Sequence, residues 1–170
     1  MKPFVLPLVA AAAAILAAPA ASAAVVERQE VRLGVRDCQG ALPAFEGALR
    51  KRPLAIQNEG TIPAFVTCAF EGTNSGQPGS KRIRVLLRNF GAAAVDVSCT
   101  LVDGGPGIFL PTYFTQVTTV APGPTTIIFA TWTRADNGGN PYTYPAVSCN
   151  LPPNVAIPAV QRDYDEDIGA

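Results

Sequence analysis

The chain has 170 residues, with 13 basic and 13 acidic side chains and no histidine. This balanced charge argues against a nucleic-acid-binding surface, and the absence of imidazole excludes catalysis by a histidine-based triad. No zinc site or other cofactor site is predicted, because zinc sites use closely spaced cysteine pairs or histidines.

The N-terminal segment predicts a secretory signal peptide over residues 1–23. Lys2 is followed by an uncharged run rich in alanine, and Ala21-Ser22-Ala23 supplies the small residues that precede a cleavage site. The alternative is a membrane anchor, since the run approaches the length that spans a bilayer, but prolines interrupt it. We therefore predict one secreted or periplasmic domain over residues 24–170, with no membrane span after cleavage.

The first part of this domain predicts two strands, a short helix and a loop. Residues 31–36 alternate apolar and polar side chains, as in a half-buried strand. Apolar residues at helical spacing predict a short helix over residues 43–50. Residues 64–70 form the next predicted strand, and the polar residues 71–80 form a loop.

The clearest local pattern predicts a β-hairpin. Its arms are residues 82–88 and 94–102, and its turn is Asn89-Phe90-Gly91. The apolar side chains from Val95 to Leu101 alternate with polar ones, which predicts one buried face in the second arm.

Further strands are predicted over residues 108–120, 125–132, 143–151 and 155–164, separated by turns and by a loop over residues 134–141. Seven or eight short strands with almost no helix predict an all-β fold. We expect a two-sheet antiparallel β-sandwich of immunoglobulin-like or jelly-roll topology.

Four cysteines predict two disulfide bonds, because their number is even and the compartment is oxidising. Three pairings are open to four cysteines. We favour Cys99–Cys149 and Cys38–Cys68, since Cys99 and Cys149 lie in matching strand contexts that could be neighbours.

Three short motifs follow one another along the chain: a strand that ends in Thr67-Cys68, the strand Val97-Ser98-Cys99-Thr100-Leu101, and the segment Cys149-Asn150-Leu151-Pro152-Pro153. In these motifs the chain resembles a loose group of small secreted bacterial proteins of unknown function. The resemblance implies a secreted β-sandwich and supplies no activity and no functional residues. The chain differs from that group in its acidic residues 163–167 and in Arg50-Lys51-Arg52.

Charged residues are unevenly distributed along the chain. Residues 25–88 carry ten Lys or Arg against six Asp or Glu, whereas residues 89–170 carry two against seven. A compact fold brings the two parts together, so we expect ion pairs within the domain before any charged partner.

Two charged segments allow more specific interpretations. Asp163, Asp165 and Asp167 would share one face of a strand and offer the oxygen ligands that Ca²⁺ prefers, but Ile168 replaces the glycine of an EF-hand loop. We predict a frayed acidic terminus and no metal site. Residues 50–52 are predicted to form a solvated basic turn, with a processing site or an anionic surface contact as alternatives.

Paired carboxylates could still serve glycoside hydrolysis, which needs no histidine but needs two carboxyl groups about 5–9.5 Å apart. The candidates by elimination are Glu59, Glu71, Asp96 and Asp103. Acids on the outer face of a sandwich are usually solvated, so we predict that the protein is not an enzyme.

Aromatic side chains could instead form a platform on which a sugar stacks. The aromatic residues considered are Phe109, Tyr113, Phe114, Trp132, Tyr142 and Tyr144. We select Trp132, Tyr142 and Tyr144 as candidate ligand contacts, although core packing explains most of these residues equally well.

The leading hypothesis is therefore a non-enzymatic domain that binds a ligand, such as a carbohydrate, through the loops over residues 71–80 and 134–141. Its partner would be a glycan or another surface protein. The alternative is a structural subunit of a surface or pilus-like assembly, in which residues 31–35 would be donated to a neighbour's sheet.

Overall fold

The computed structural model describes residues 24–71, 79–105 and 110–169. They form two antiparallel β-sheets packed together and two disulfide bonds, so the predicted all-β sandwich is confirmed. The predicted signal peptide, Phe109 and most of the predicted loop over residues 71–80 lie outside the described residues. The described ranges hold more strands than the seven or eight predicted, because several strands are only three or four residues long.

In chain order the strands are β1 (Val25–Leu33), β2 (Cys38–Gly40), β3 (Leu49–Arg52), β4 (Ala55–Asn58), β5 (Ala64–Ala69), β6 (Ser80–Asn89), β7 (Val95–Asp103), β8 (Thr112–Val120), β9 (Ile128–Thr133), β10 (Pro145–Leu151), β11 (Val155–Ile157) and β12 (Ala159–Asp167). Helical turns are short: α1 (Gly34–Asp37), α2 (Pro43–Glu46) and a 3-10 turn (Arg134–Asn137).

The five-stranded sheet has the order β2-β5-β10-β7-β8. In the seven-stranded sheet β6 is central, with β9 on one side and the consecutive strands β11 and β12 on the other. β12 then pairs with β1, while β11 pairs with β4 and β4 with β3. The core lies between the sheets and is filled by alternate residues of the long strands, such as Ile83, Val85 and Leu87 of β6 and Val97 and Leu101 of β7.

Both disulfides lie within the five-stranded sheet and join neighbouring strands. Cys99 of β7 is directly opposite Cys149 of β10, and Cys38 of β2 is directly opposite Cys68 of β5. All four are buried. The favoured pairing is confirmed, and so is the inference that the strands of Cys99 and Cys149 are neighbours.

The predicted hairpin over residues 82–102 is wrong. Its two arms belong to β6 and β7, which lie in different sheets and do not pair. The buried side chain of Asn89 explains the difference. Its Nδ2 donates to the carbonyls of Ala93 and Val120 at 2.7 and 3.1 Å, and its Oδ1 accepts from the Gly91 amide at 2.8 Å, so the chain crosses between the sheets.

A second buried asparagine repeats this arrangement between β4 and β5. Asn58 Nδ2 donates to the carbonyls of Ile62 and Leu151 at 2.9 and 2.8 Å, and its Oδ1 accepts from the Gly60 amide at 2.9 Å. We call Asn58-Glu59-Gly60 and Asn89-Phe90-Gly91 the asparagine clamps. In each clamp the side-chain amide donates to one carbonyl that is close in the sequence and to one that is distant. A local turn does not require the bond to the distant carbonyl.

The crossing between β10 and β11 joins the two clamps. The Asn154 amide donates to the Asn58 carbonyl at 2.8 Å, and its own carbonyl accepts from the Phe90 amide at 2.9 Å. Asn154 has a φ of 67°, a left-handed conformation that asparagine tolerates better than most residues. One end of the sandwich is therefore closed by a connected set of hydrogen bonds.

β1 contains residues 31–33 of the predicted strand over residues 31–36. Its buried and exposed faces are the reverse of those that the sequence pattern predicts. Val31 and Leu33 are exposed, whereas Glu30 and Arg32 lie on the inner side, where Arg32 is opposite Val160. Ion pairs make this possible, since Arg32 contacts Glu30 and Glu71 and Arg162 contacts Glu30. The hydrogen bond from Arg32 lowers the pKa of the Glu71 carboxyl. The strand ends at Leu33, and the predicted continuation to residue 36 is the turn α1.

The acidic C-terminal segment is not frayed, contrary to the prediction. It belongs to β12, between β1 and β6. Asp163 is buried and contacts Arg82 and Arg84 at 3.1 and 3.0 Å, and Asp165 contacts Lys81 at 2.5 Å. These ion pairs join the basic and acidic parts of the chain, as the charge distribution predicts.

Smaller differences have local causes. The predicted helix over residues 43–50 is reduced to the single turn α2, because Leu49 is buried at the start of β3. Residues 50–52 are exposed strand residues of β3 instead of a turn. The predicted last strand over residues 155–164 is divided at Pro158, which has no amide hydrogen for the ladder.

We expect the two disulfides to contribute similarly to stability, because they close loops of 30 and 50 residues. Loop-closure entropy gives each about 4 kcal/mol, within the roughly 2–5 kcal/mol that removal of a native bridge costs. Urea unfolding of the C38A/C68A and C99A/C149A variants tests this expectation. Variants as stable as the native chain would contradict it.

We expect Asn89→Ala and Asn58→Ala each to lower the free energy of unfolding by roughly 2–4 kcal/mol, because each removes the side-chain partner of one buried carbonyl, one partly buried carbonyl and one amide. Asn89→Asp should cost as much, since it removes both donors and buries a carboxyl group. Asn154→Gly is the control. It keeps the backbone bonds and suits the positive φ, so it should change stability by less than about 0.5 kcal/mol. Chemical denaturation measures all four, and equal effects in Asn154→Gly and Asn89→Ala would refute the role of the clamps.

Candidate functional site

A polar pocket of about 360 Å³ lies at the end of the sandwich opposite the asparagine clamps. It is formed where β7 ends and β8 begins, together with the connection between β9 and β10. The side chains that line the pocket include those of Asp103, Leu110, Thr112, Asn137, Asn140 and Thr143. The pocket thus combines one of the two predicted binding loops, residues 134–141, with a second segment that the sequence did not indicate.

Hydrogen bonds of the chain itself hold the 134–141 loop in place. The Thr133 amide and hydroxyl donate to Asp136 Oδ2 at 2.7 and 3.0 Å, which caps the 3-10 turn. Asn137 and Asn140 each donate from Nδ2 to the other's carbonyl, at 3.3 and 3.2 Å. The left-handed Gly138 ends the turn. The two asparagine side chains are therefore positioned before any ligand arrives.

Asp103 connects the two sides of the pocket. It is the last residue of β7, and its Oδ1 accepts from the amides of Thr143 and Tyr144 at 2.9 and 2.8 Å. The carboxylate thereby fixes the segment that enters β10, with which β7 pairs. Asp103 was predicted as a candidate acid by elimination, and the structure gives it a positioning role.

The described end of the first predicted loop lies beside the end of the second. Ser80 and Tyr142 exchange backbone hydrogen bonds at 2.7 and 2.9 Å. Gly79 makes this approach possible, because a side chain there would place its Cβ 2.3 Å from the Tyr142 carbonyl oxygen.

Two of the three candidate ligand contacts are core residues. Trp132 is 2% exposed and donates from Nε1 to the Phe114 carbonyl at 2.8 Å. Tyr142 is fully buried, donates from its hydroxyl to the Thr133 carbonyl at 2.7 Å, and packs edge-on against the Phe114 ring. Neither ring presents a face to a ligand, and burial raises the pKa of Tyr142 to about 12, with smaller contributions from Asp136 and Asp103.

Tyr144, the third candidate, is 40% exposed, and Tyr113 is 64% exposed. Tyr113 is opposite Val102, and Val102 is opposite Ala146. Tyr113 therefore lies on the outer face of the five-stranded sheet, and Tyr144 lies in the bend that leads into β10. Thr112 and Thr143, which line the pocket, immediately precede them in the sequence, so both tyrosines lie at the same end of the sandwich as the pocket.

Beyond the tyrosines, this outer face carries a row of polar side chains that crosses the whole sheet. The strand register places Gln39, Thr67, Ser148, Thr100 and Thr115 side by side. The hydroxyls of Thr100 and Thr115 lie 2.8 Å apart. The next row is less polar and includes the exposed Val117.

The four candidate carboxylates have separate structural partners. Glu59 pairs with Arg52 and Glu71 with Arg32, while Asp96 accepts from the Thr119 hydroxyl at 2.6 Å. Asp96 and Asp103 lie near opposite ends of β7, roughly 23 Å apart at 3.3 Å per residue, too far for a hydrolytic pair.

The described ranges contain no group of three or more His, Cys, Asp or Glu side chains arranged to hold a metal ion. None of the helices found there is long and apolar enough to cross a bilayer.

No family model and no curated protein matches the chain. Among solved structures, the exo-β-1,3-galactanase Pc1,3Gal43A of Phanerochaete chrysosporium with galactose is similar at a TM-score of 0.44 and 12% identity, over 79% of this chain and 29% of that chain. TmCBM61 in complex with β-1,4-galactotriose is similar at a TM-score of 0.39 and 7% identity, over 82% of this chain and 88% of that chain. The chain spans less than a third of the galactanase, and likeness at these TM-scores carries no conclusion about function.

We expect alkaline pH to destabilise the domain through Tyr142. With a pKa of about 12 in the folded state and about 10 when unfolded, the folded state retains the proton longer, so stability falls between pH 10 and 12. The loss reaches roughly 2–3 kcal/mol at 1.4 kcal/mol per pH unit.

Urea titrations at several pH values, followed by Trp132 fluorescence, measure this loss. Tyr142→Phe should remove that part of the pH dependence, and Tyr144→Phe is the matched control. The same slope in the native chain and in Tyr142→Phe would show that Tyr142 is not its source.

Proposed function

We propose that this domain is an exported, non-enzymatic carbohydrate-binding module that holds a neutral oligosaccharide at the polar pocket and the adjoining tyrosines. The observation that carries the proposal is that two exposed tyrosines, Tyr113 and Tyr144, each follow directly on a residue that lines the polar pocket. Sugars have hydroxyl groups around the ring edge and an apolar C–H face, and this combination serves both.

The pocket supplies the polar half of the recognition. Because the Nδ2 groups of Asn137 and Asn140 already donate within the loop, these side chains match sugar hydroxyls chiefly through their Oδ1 acceptors. A volume of about 360 Å³ is at the lower end of small-ligand pockets and suits one or two sugar rings.

The tyrosines supply the apolar half. An exposed ring gives a flat face on which the C–H side of a sugar stacks, and its hydroxyl remains available for hydrogen bonds. Tyr113 lies on β8 and Tyr144 directly precedes β10, with β7 between these two strands, so the rings suit separate residues of an oligosaccharide better than one monosaccharide.

Charge favours a neutral ligand. Asp103 is the one charged residue among the described residues that line the pocket, and Oδ1 of its carboxylate is already engaged by two amides. An acidic sugar would meet repulsion there without a cation to offset it.

Export and the absence of catalysis belong to the same proposal. Two buried disulfides are typical of an oxidising compartment, which agrees with the signal peptide predicted over residues 1–23 and with a secreted or periplasmic location. The alternative of a donated strand is not favoured, because Val31 to Leu33 already pair with β12 of the same chain, and the two residues after them form a helical turn.

A glycan array of neutral oligosaccharides, followed by calorimetry on the best ligand, tests the proposal. Tyr144→Ala and Tyr113→Ala should each weaken binding by about tenfold through loss of stacking. Val117→Ala is the matched control, because Val117 is exposed on the same face but lies away from the pocket, and binding should be unchanged.

Absence of saturable binding to every glycan by the folded protein would refute the proposal. Equal losses in Tyr144→Ala and Val117→Ala would refute the assigned position. Trp132→Ala is uninformative here, since it removes a core side chain.

A further inference from the structure

A second concave surface lies in the seven-stranded sheet, where that sheet divides. At Pro158 the chain passes from β11, which pairs with β4, to β12, which pairs with β1. The Gly34 amide donates to the Pro158 carbonyl at 2.8 Å and holds the end of β1 at this point. The division leaves an open groove of about 460 Å³ between the end of β1 and the turn that joins β3 to β4.

The walls of this groove are mainly apolar. Leu33 is 46% exposed, Leu54 is 70% exposed and Phe90 is 43% exposed, and the prolyl ring of Pro158 and the buried Ala159 complete the surface. We call this surface the fork groove. Soluble domains seldom expose several large apolar side chains together without using them.

A cation without an ion pair lies in the same groove. Arg88 lines it, with its guanidinium carbon 5.9 Å from the centre of the Phe90 ring. Within the described residues no carboxylate lies at ion-pair distance from Arg88, and its enclosed Nε donates no hydrogen bond. Arg82 and Arg84 on the same strand, by contrast, share Asp163.

The residues that line the fork groove include two cations and, among the described residues, no acid. Arg52 is already paired with Glu59, so Arg88 is the cation that lacks a carboxylate. A buried or half-buried cation gains most from a ligand that supplies an anion while the groove excludes water. An apolar trough beside an unpaired guanidinium therefore complements a molecule with an apolar body and one carboxylate.

We propose that the fork groove binds a free fatty acid of medium chain length, with its alkyl chain against Leu33, Leu54 and Phe90 and its carboxylate on Arg88. The site is independent of the carbohydrate proposal. It involves the other sheet and lies beside the clamp of Phe90, at the opposite end of the sandwich from the polar pocket.

Calorimetry or NMR titration with decanoate below its micellar concentration tests this site. Decanoate should bind saturably, and each methylene from octanoate to decanoate should tighten binding about two- to fourfold, as expected for apolar burial. Decanol should bind at least tenfold more weakly, and decyltrimethylammonium should not bind, because Arg88 would repel it.

Two variants and two matched controls locate the ligand. Arg88→Gln should weaken decanoate binding at least tenfold and leave decanol binding unchanged, while Arg88→Lys should keep part of the preference for decanoate. Leu54→Asp, at a highly exposed position, should weaken decanoate and decanol alike. Arg36→Gln and Leu42→Asp change exposed residues outside the groove and should have no effect.

Several outcomes would overturn the proposal. Decyltrimethylammonium binding as tightly as decanoate would remove the role of Arg88. Equal losses in Arg36→Gln and Arg88→Gln would show a non-specific charge effect. Dimerisation that Leu54→Asp abolishes, without saturable decanoate binding, would assign the groove to contact between copies of the chain.

Discussion

The buried side-chain amides of Asn58 and Asn89 are the interaction on which the architecture depends. Each amide is enclosed in the protein and uses both donors and its acceptor on backbone groups of the same end of the sandwich. An unsatisfied amide at such a position would destabilise the fold by far more free energy than an ordinary turn contributes. The clamps therefore determine that the chain changes sheet there, and the loops around the polar pocket are left to the opposite end.

Buried charged residues likewise shape the edge of the seven-stranded sheet, where β1 lies. Its alternation is that of a typical amphipathic strand, yet the charged residues Glu30 and Arg32 are turned inward and the apolar residues outward. Burial of charge is tolerated when partners and hydrogen bonds are supplied, and Arg162 and Glu71 supply them. The same reversal leaves Leu33 exposed at the rim of the fork groove, so an ion network on one face creates the apolar surface on the other.

Local patterns predicted the strands, the sandwich and the disulfide pairing, because alternation and cysteine context are properties of neighbouring residues. The hairpin prediction was wrong because Asn89-Phe90-Gly91 suits either a hairpin turn or a crossing between the sheets. The crossing is stabilised by a hydrogen bond from Asn89 to the Val120 carbonyl, which lies far along the chain. The same Asn-x-Gly pattern occurs at Asn58-Glu59-Gly60, and this repeat is the feature of the sequence that indicates a crossing. Burial of Trp132 depends on Phe114 in the other sheet, which no local pattern reveals. The polar pocket escaped prediction for the same reason, as its two sides come from separate connections.

The location of both disulfides in the five-stranded sheet gives the two layers different mechanical character. Covalent rungs join β2 to β5 and β7 to β10, whereas the strands of the seven-stranded sheet are joined by hydrogen bonds and packing. Under tension or partial denaturation the uncrosslinked layer should separate first, with faster amide hydrogen exchange in its edge strands. The five-stranded sheet would keep its strand register longest, and this suits the oligosaccharide recognition proposed for that layer.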